Sequence, residues 1–247
     1  MPHTMPADAA SGSNRPDDDA LVVQDMVRWL ERAVIDLNLC PFAKGVHTKG
    51  QIHYAVSHAD DARGLLEDLR RELEALAEAS SERRDTTLLM APRCFPDFLD
   101  FNDFLELADE LVEAMDLAGI LQVASFHPRF QFAGTDVEDV GNCTNRAPYP
   151  TLHLLREDSI DRAVEAFPEA EEIFERNIEV LEQLGPEGWK ALDVGARCPF
   201  HPPADAPTGQ DAGCAQGADA EPGAKGVAAL GGRAEGDASV PPQGRQP

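Results

Sequence analysis

The chain has 247 residues, with 45 acidic against 21 basic side chains and a formal charge of −24. Such a surface repels phosphate backbones and anionic bilayers, which argues against a nucleic-acid partner and against membrane association. No apolar run is long enough to span a bilayer and no apolar leader opens the chain, so a cytoplasmic location with reduced thiols is expected.

Residues 1–18 are rich in Ala, Ser, Asp and Pro and predict a disordered lead. With Asp18 or Asp19 as N-cap, Met26, Trp29, Leu30, Ala33, Val34 and Leu37 recur at helical spacing. That helix, over residues 20–37, must stop before Pro41, because the residue preceding a proline is pushed out of helical space. Ile52, Tyr54 and Val56 alternate in a half-buried strand over 51–57. Asp60 suits the cap of a second helix striped with Leu66, Leu69, Leu73 and Leu76.

Residues 86–90 are short, β-branched and apolar, a buried strand closed by Pro92. After Pro96 and Asp97 a third helix carries Phe101, Phe104, Ala108 and Val112, with Gly119 as a left-handed terminator. Residues 120–126 and 151–155 are the third and fourth strands. A short helix follows, capped by Asp158 or Ser159 and ended by Pro168. A last helix with Ile173, Val180, Leu181 and Leu184 stops at Gly185 and Pro186. Residues 187–247 are mostly Gly, Ala, Pro and Asp and predict a disordered tail, within which Trp189 to Phe200 is a stretch able to dock.

The expected fold is α/β (or α+β): a single domain over residues 19–186 with one mixed sheet of about four strands flanked by helices. Helical crossovers predict parallel neighbours, whereas the fourth strand lacks a crossover helix and suits an antiparallel placement.

Between the third and fourth strands lies a connection of roughly two dozen residues, a length compact domains keep mainly for binding or chemistry. It leaves a strand at His127, where open α/β sheets tend to hold ligands. His127 and His153 are the candidate acid/base pair, and would lie on one side if their strands are neighbours; each reads equally as a buried structural histidine. Arg129, Arg146 and Arg156 suit an anion clamp, or else bridges to local carboxylates. Asn142 and Asn145 orient a substrate or hold turns, and Tyr149 walls a pocket or staples the loop. Cys40 is the candidate reactive thiol: Pro41 makes it an N-cap of the next turn, yet it also ends the preceding helix, and the two dipoles oppose one another. A metal site drawn from His127, His153, Asp139 and Cys143 or Cys40 has no recognised ligand spacing, so no metal and no cofactor is assigned.

Three strings, at residues 37–43 (LNLCPFA), 122–128 (QVASFHP) and 144–157 (TNRAPYPTLHLLRE), together resemble an uncharacterised bacterial family catalogued as domain of unknown function 1415. The likeness runs from about Leu21 to Gly185 and includes Phe98 to Phe104 and Glu175 to Asn177. It implies one cytosolic domain. Cys143 departs from the family pattern, which carries an aromatic residue there, and this weakens its case as a ligand or nucleophile.

Two functions follow from the residues. One is an enzyme acting on a small anionic metabolite, with a histidine as general acid or base and Arg and Asn as the clamp. The alternative is a non-catalytic domain binding a metabolite or a protein. Thiol redox chemistry at Cys40 is a weaker third. The sequence leaves the oligomeric state open.

Overall fold

The computed structural model describes residues 16–166 and 172–197; the predicted lead up to residue 15, Pro168, Cys198, Cys214 and the tail from 198 lie outside them. Its elements are helix α1 (Pro16–Trp29), continued by a π-helical turn (Leu30–Ile35), α2 (Ala43–Thr48), strand β1 (Ile52–Val56), α3 (Ala62–Glu78), β2 (Thr86–Met90), α4 (Phe98–Ala114), β3 (Leu121–Phe126), a 3₁₀ turn (Val140–Asn145), β4 (Thr151–Arg156), α5 (Glu157–Ala166) and α6 (Ile173–Ala191). The class is mixed α/β, one four-stranded sheet in the order β1-β2-β4-β3 flanked by helices. Among the described residues no helix is long and apolar enough to cross a membrane.

β1 and β2 pair in parallel across the α3 crossover, while β4 runs antiparallel to both β2 and β3. The expected parallel pairing of β2 with β3 is not made, because β4 inserts between them. Its sequence suits the interior: Leu152 and Leu154 on one face are fully buried, and His153 and Leu155 on the other are largely covered.

The registers set three rows of side chains across one face of the sheet: Ile52, Thr86, Leu155 and Gln122; then Tyr54, Leu88, His153 and Ala124; then Val56, Met90, Thr151 and Phe126. The opposite face carries Leu89, Leu152 and Leu154, sealed by Leu65, Leu69, Leu73 and Leu76 of α3 and by Phe101, Phe104 and Ala108 of α4. Each of those leucines contributes about 1.5–3 kcal/mol of burial, so this layer is the principal core.

Local chemistry sets the helix ends. Asp61, one residue beyond the expected cap, starts α3 by accepting from the Gly64 amide at 2.7 Å, and Asp97 starts α4 from the Leu99 amide at 2.8 Å. α1 already runs from Pro16, so Asp18 and Asp19 sit within its first turn, with proline at a helix start. α5 begins at Glu157, directly out of β4, and is not capped at Ser159, whose hydroxyl donates to Asp85 at 2.7 Å. Gly185 (φ 68°) and Pro186 kink α6 without ending it, and Trp189, Leu192 and Val194 beyond the kink pack onto the α1 side of the core.

The segment through Arg197 is tied down by Asp25, which is fully buried. Its carboxylate accepts from the Tyr149 hydroxyl at 2.7 Å and from the Arg197 amide at 2.6 Å, and pairs with Arg28 at 2.8 Å. Tyr149 thus staples the long connection to α1. Tyr149→Phe removes one donor from a buried carboxylate, and a loss of about 1.5–3 kcal/mol in urea unfolding is expected; a change under about 0.5 kcal/mol would show that the staple carries no stability.

Candidate functional site

The two candidate histidines do not converge. β3 and β4 are neighbours, but His153 is paired with Ala124, whereas His127 belongs with the odd-numbered residues of β3 that face α4. His127 is fully buried against the rings of Phe98 (5.5 Å) and Phe101 (5.3 Å). Its Nε2 donates to the Phe95 carbonyl at 2.9 Å, and its Nδ1 accepts from the Arg129 amide at 3.0 Å. Both ring nitrogens are engaged with backbone, and the pair of bonds assigns the Nε2–H tautomer.

The polar residues of the connection are spent in the same way. Asn142 is buried; its Oδ1 accepts from the Phe132 amide (2.9 Å) and the Thr135 hydroxyl (3.0 Å), and its Nδ2 donates to the Asp136 carbonyl at 2.9 Å. Arg146 donates to the carbonyls of Phe130 (3.0 Å) and Val137 (2.7 Å), while its own carbonyl accepts from Trp29 Nε1 at 2.9 Å. Arg156 lays its guanidinium over the carbonyls of Leu76 and Ala79, closing the C-terminal end of α3. These groups hold the loop against the sheet, because a buried backbone with few ladder partners needs side-chain donors and acceptors instead. Arg129 contributes its amide to His127 and is half-buried.

The concave feature lies on the other face. α1 covers the row containing Met90 and Phe126, but beyond it the sheet is only partly covered, leaving a cavity of about 820 Å³. Its floor is the remaining two rows: Ile52, Thr86, Leu155 and Gln122, then Leu88, His153 and Ala124. One wall comes from the π-helical turn and the segment after it, with Leu30, Val34, Leu39 and Cys40. Facing it are Ile160 and Ala163 of α5 and Ile173 and Asn177 of α6. The helix widens over this void: the Asp36 amide bonds to Glu31 O and the Leu39 amide to Val34 O, each five residues back and each at 2.9 Å. Such π turns recur at functional sites.

His153 stands on that floor beside the polar side chains of Thr86 and Gln122. Burial alone pushes its imidazole pKa down to about 4, so the ring is uncharged at neutral pH and presents one donor and one acceptor. Its recorded ring neighbour is Phe126, at 5.8 Å. Among the described residues no side chain or backbone group hydrogen-bonds to it, and neither ring nitrogen is sealed from the cavity. Asn145 also lines the void; its carbonyl holds the His127 amide at 3.1 Å. Cys40 is a free thiol on the wall. Burial pushes its pKa up, against the lowering effect of hydrogen bonds from the backbone of Phe42 and Ala43. Desolvation therefore outweighs the turn's dipole, opposite to an activated thiol. Cys143 is buried and its pKa is raised, first by burial. Among the described residues no group of three His, Cys, Asp or Glu side chains is disposed to hold a metal.

Of the predicted residues, then, His153, Asn145 and Cys40 border one cavity, whereas His127, Asn142, Arg146, Tyr149 and Arg156 do not. The sequence reading missed the sheet floor around Ala124 and Leu88, and also Asn177. A signal for Asn177 was present: it stands four residues from Ile173 and four from Leu181, both buried, and so occupies the inward stripe of α6. Its Nδ2 donates to the Leu39 carbonyl at 2.7 Å, while its Oδ1 is buried with no hydrogen-bond partner among the described residues.

No curated protein and no solved structure matches the chain. A model of a family of proteins of unknown function, DUF1415, matches residues 21–191, well over half of the length, and the chain belongs to that family.

Proposed function

We propose that this protein binds a small, mainly apolar and uncharged molecule in the cavity over the sheet, with His153 as its polar contact. The observation that carries the reading is an uncharged imidazole on the floor of an otherwise largely apolar void, with its nitrogens open to that void and unpaired among the described residues. Ligand sites commonly combine an apolar cavity of some 300–1,000 Å³ with a few placed polar groups. The π-helical turn over the same void is a second support.

Between the two readings from sequence, this favours the binding domain over the enzyme acting on an anionic metabolite. Two of the arginines proposed as a clamp, Arg146 and Arg156, are engaged with backbone carbonyls, and a deep anion would meet a neutral histidine on the cavity floor. Of the two candidate histidines, His127 has both nitrogens committed to backbone, which leaves His153 as the one able to exchange a proton with a bound molecule.

The test is a thermal-shift screen that sets neutral apolar fragments against phosphorylated and carboxylated metabolites, on the native chain and on Ala124→Phe. A ring at position 124 projects from the floor into the void. Neutral fragments are expected to raise the melting temperature of the native protein, with about 2.7 kcal/mol of stabilisation at a hundred-fold excess over Kd, and to leave the variant unmoved. A response confined to charged metabolites, or an equal response from the variant, would refute the assignment.

A further inference from the structure

The cavity is not uniform along its length, and its two ends ask for different chemistry. At the end formed by the start of β1 and β2 and the close of β4, the rim carries Lys49 and Arg162 alongside Glu82 and Asp85. Those charges balance in sign. Ser159 further ties them together, donating to Asp85 at 2.7 Å and accepting from Arg162 at 2.8 Å. Nothing there draws in a net charge of either sign, in a chain whose surface is strongly acidic.

The other end is built from rings. Trp29 meets Phe126 edge to face at 5.0 Å, Phe126 lies at 5.8 Å and 32° from His153, and Phe132 meets Phe174 edge to face at 5.5 Å and 87°. Trp29, Phe42, Phe126, Phe132 and Phe174 all border this void, while Phe95, Phe98, Phe101 and Phe104 pack among themselves and His127 on the other face. A wall containing several rings favours a guest with a quadrupole of its own, since offset and edge-to-face contacts add to area burial. A flexible aliphatic chain gains only the area and loses more rotamer freedom on ordering.

We infer that the occupant of this cavity is an uncharged aromatic compound of one or two rings bearing a hydroxyl or ring N–H, its ring among Trp29, Phe42, Phe126, Phe132 and Phe174 and its polar group on His153. This rests on the binding role proposed above and narrows it to a ligand class. His153 acts as a specificity determinant: its ring can accept from such a group or donate to it, and a purely hydrocarbon guest leaves it unpaired.

The experiment uses four probes on the full chain at neutral pH, with affinities from thermal shift and from quenching of tryptophan fluorescence: 2-naphthol, naphthalene, 1-decanol and octanoate. 2-Naphthol is expected to bind best. His153→Leu is expected to weaken 2-naphthol roughly ten-fold, the scale of one lost hydrogen bond, and to leave naphthalene unchanged or tighter. Phe132→Leu keeps an apolar wall but removes a ring; it is expected to weaken 2-naphthol several-fold and to spare 1-decanol. Tighter binding of 1-decanol than of 2-naphthol overturns the aromatic assignment and leaves the binding role standing. Preference for octanoate overturns the uncharged class. Silence from every probe removes the binding role and the inference together.

Discussion

Replacing His127 by alanine is expected to destabilise the protein by about 3–5 kcal/mol, the largest single loss anticipated outside the leucine core. The ring is fully buried between α4 and the end of β3. It joins two segments that make no strand pairing with each other, receiving the Arg129 amide at 3.0 Å and donating to the Phe95 carbonyl at 2.9 Å. Phe95 adopts φ 53°, a left-handed conformation that a bulky residue holds only when its surroundings impose it. Its ring packs at 4.9 Å from Phe104 and 5.9 Å from Phe101, and the histidine bond holds its carbonyl. Alanine leaves a void and takes the partner from a part-buried carbonyl and a part-buried amide together, and these costs share one sign. Equilibrium urea unfolding measures the effect. A variant within about 1 kcal/mol of the native chain, but unable to respond to ligand, would return His127 to the acid/base role that its place at a strand end first suggested.

The second large effect concerns acid. The folded-state pKa of His153 is about 4, against an ordinary 6.5. Above pH 6.5 the ring is neutral in both folded and unfolded chains and contributes nothing. Between pH 6.5 and 4 the unfolded chain takes up a proton that the folded one refuses, so falling pH favours unfolding; below about 4 both are protonated and the loss levels off. The full loss is about 3 kcal/mol. His153→Leu abolishes it, so the stability difference between variant and native chain is expected to grow by that amount from pH 7 to pH 4. The many carboxylates titrate in both proteins and cancel in the difference. His53, whose pKa is lowered first by burial, is likewise common to both. Parallel stability curves would place His153 in contact with water or charge, and would remove the apolar floor on which the proposed ligand sits.

These two histidines show where reading the chain stops. In the sequence they are alike: each sits at a strand that borders the same connection. One stands just past the end of β3, in step with its odd positions, and the other on an odd position of β4, and only the antiparallel register, with His153 opposite Ala124, turns them to opposite faces. The arginines illustrate the same limit. Arg156 is the last residue of β4, and that it closes the end of α3 depends on packing between segments some eighty positions apart.

What the amino-acid order determined by itself was local. The leucine stripe of α3, the Asp97 cap of α4, the short apolar run of β2 and the alternation in β1 each express a period or a cap within a few residues, and each element formed where those patterns lie. The number of strands followed from their short apolar runs, and the antiparallel fourth strand from the lack of a crossover helix before it. Tertiary structure decided the insertion of β4 between β2 and β3, the commitment of the loop's polar groups to backbone, and the cavity over the sheet. A void has no sequence pattern, because it is the space that several helices fail to fill. The apolar side chains of α1, α5 and α6 announce only that they are to be buried, and how completely they cover the sheet depends on how those helices lie across it.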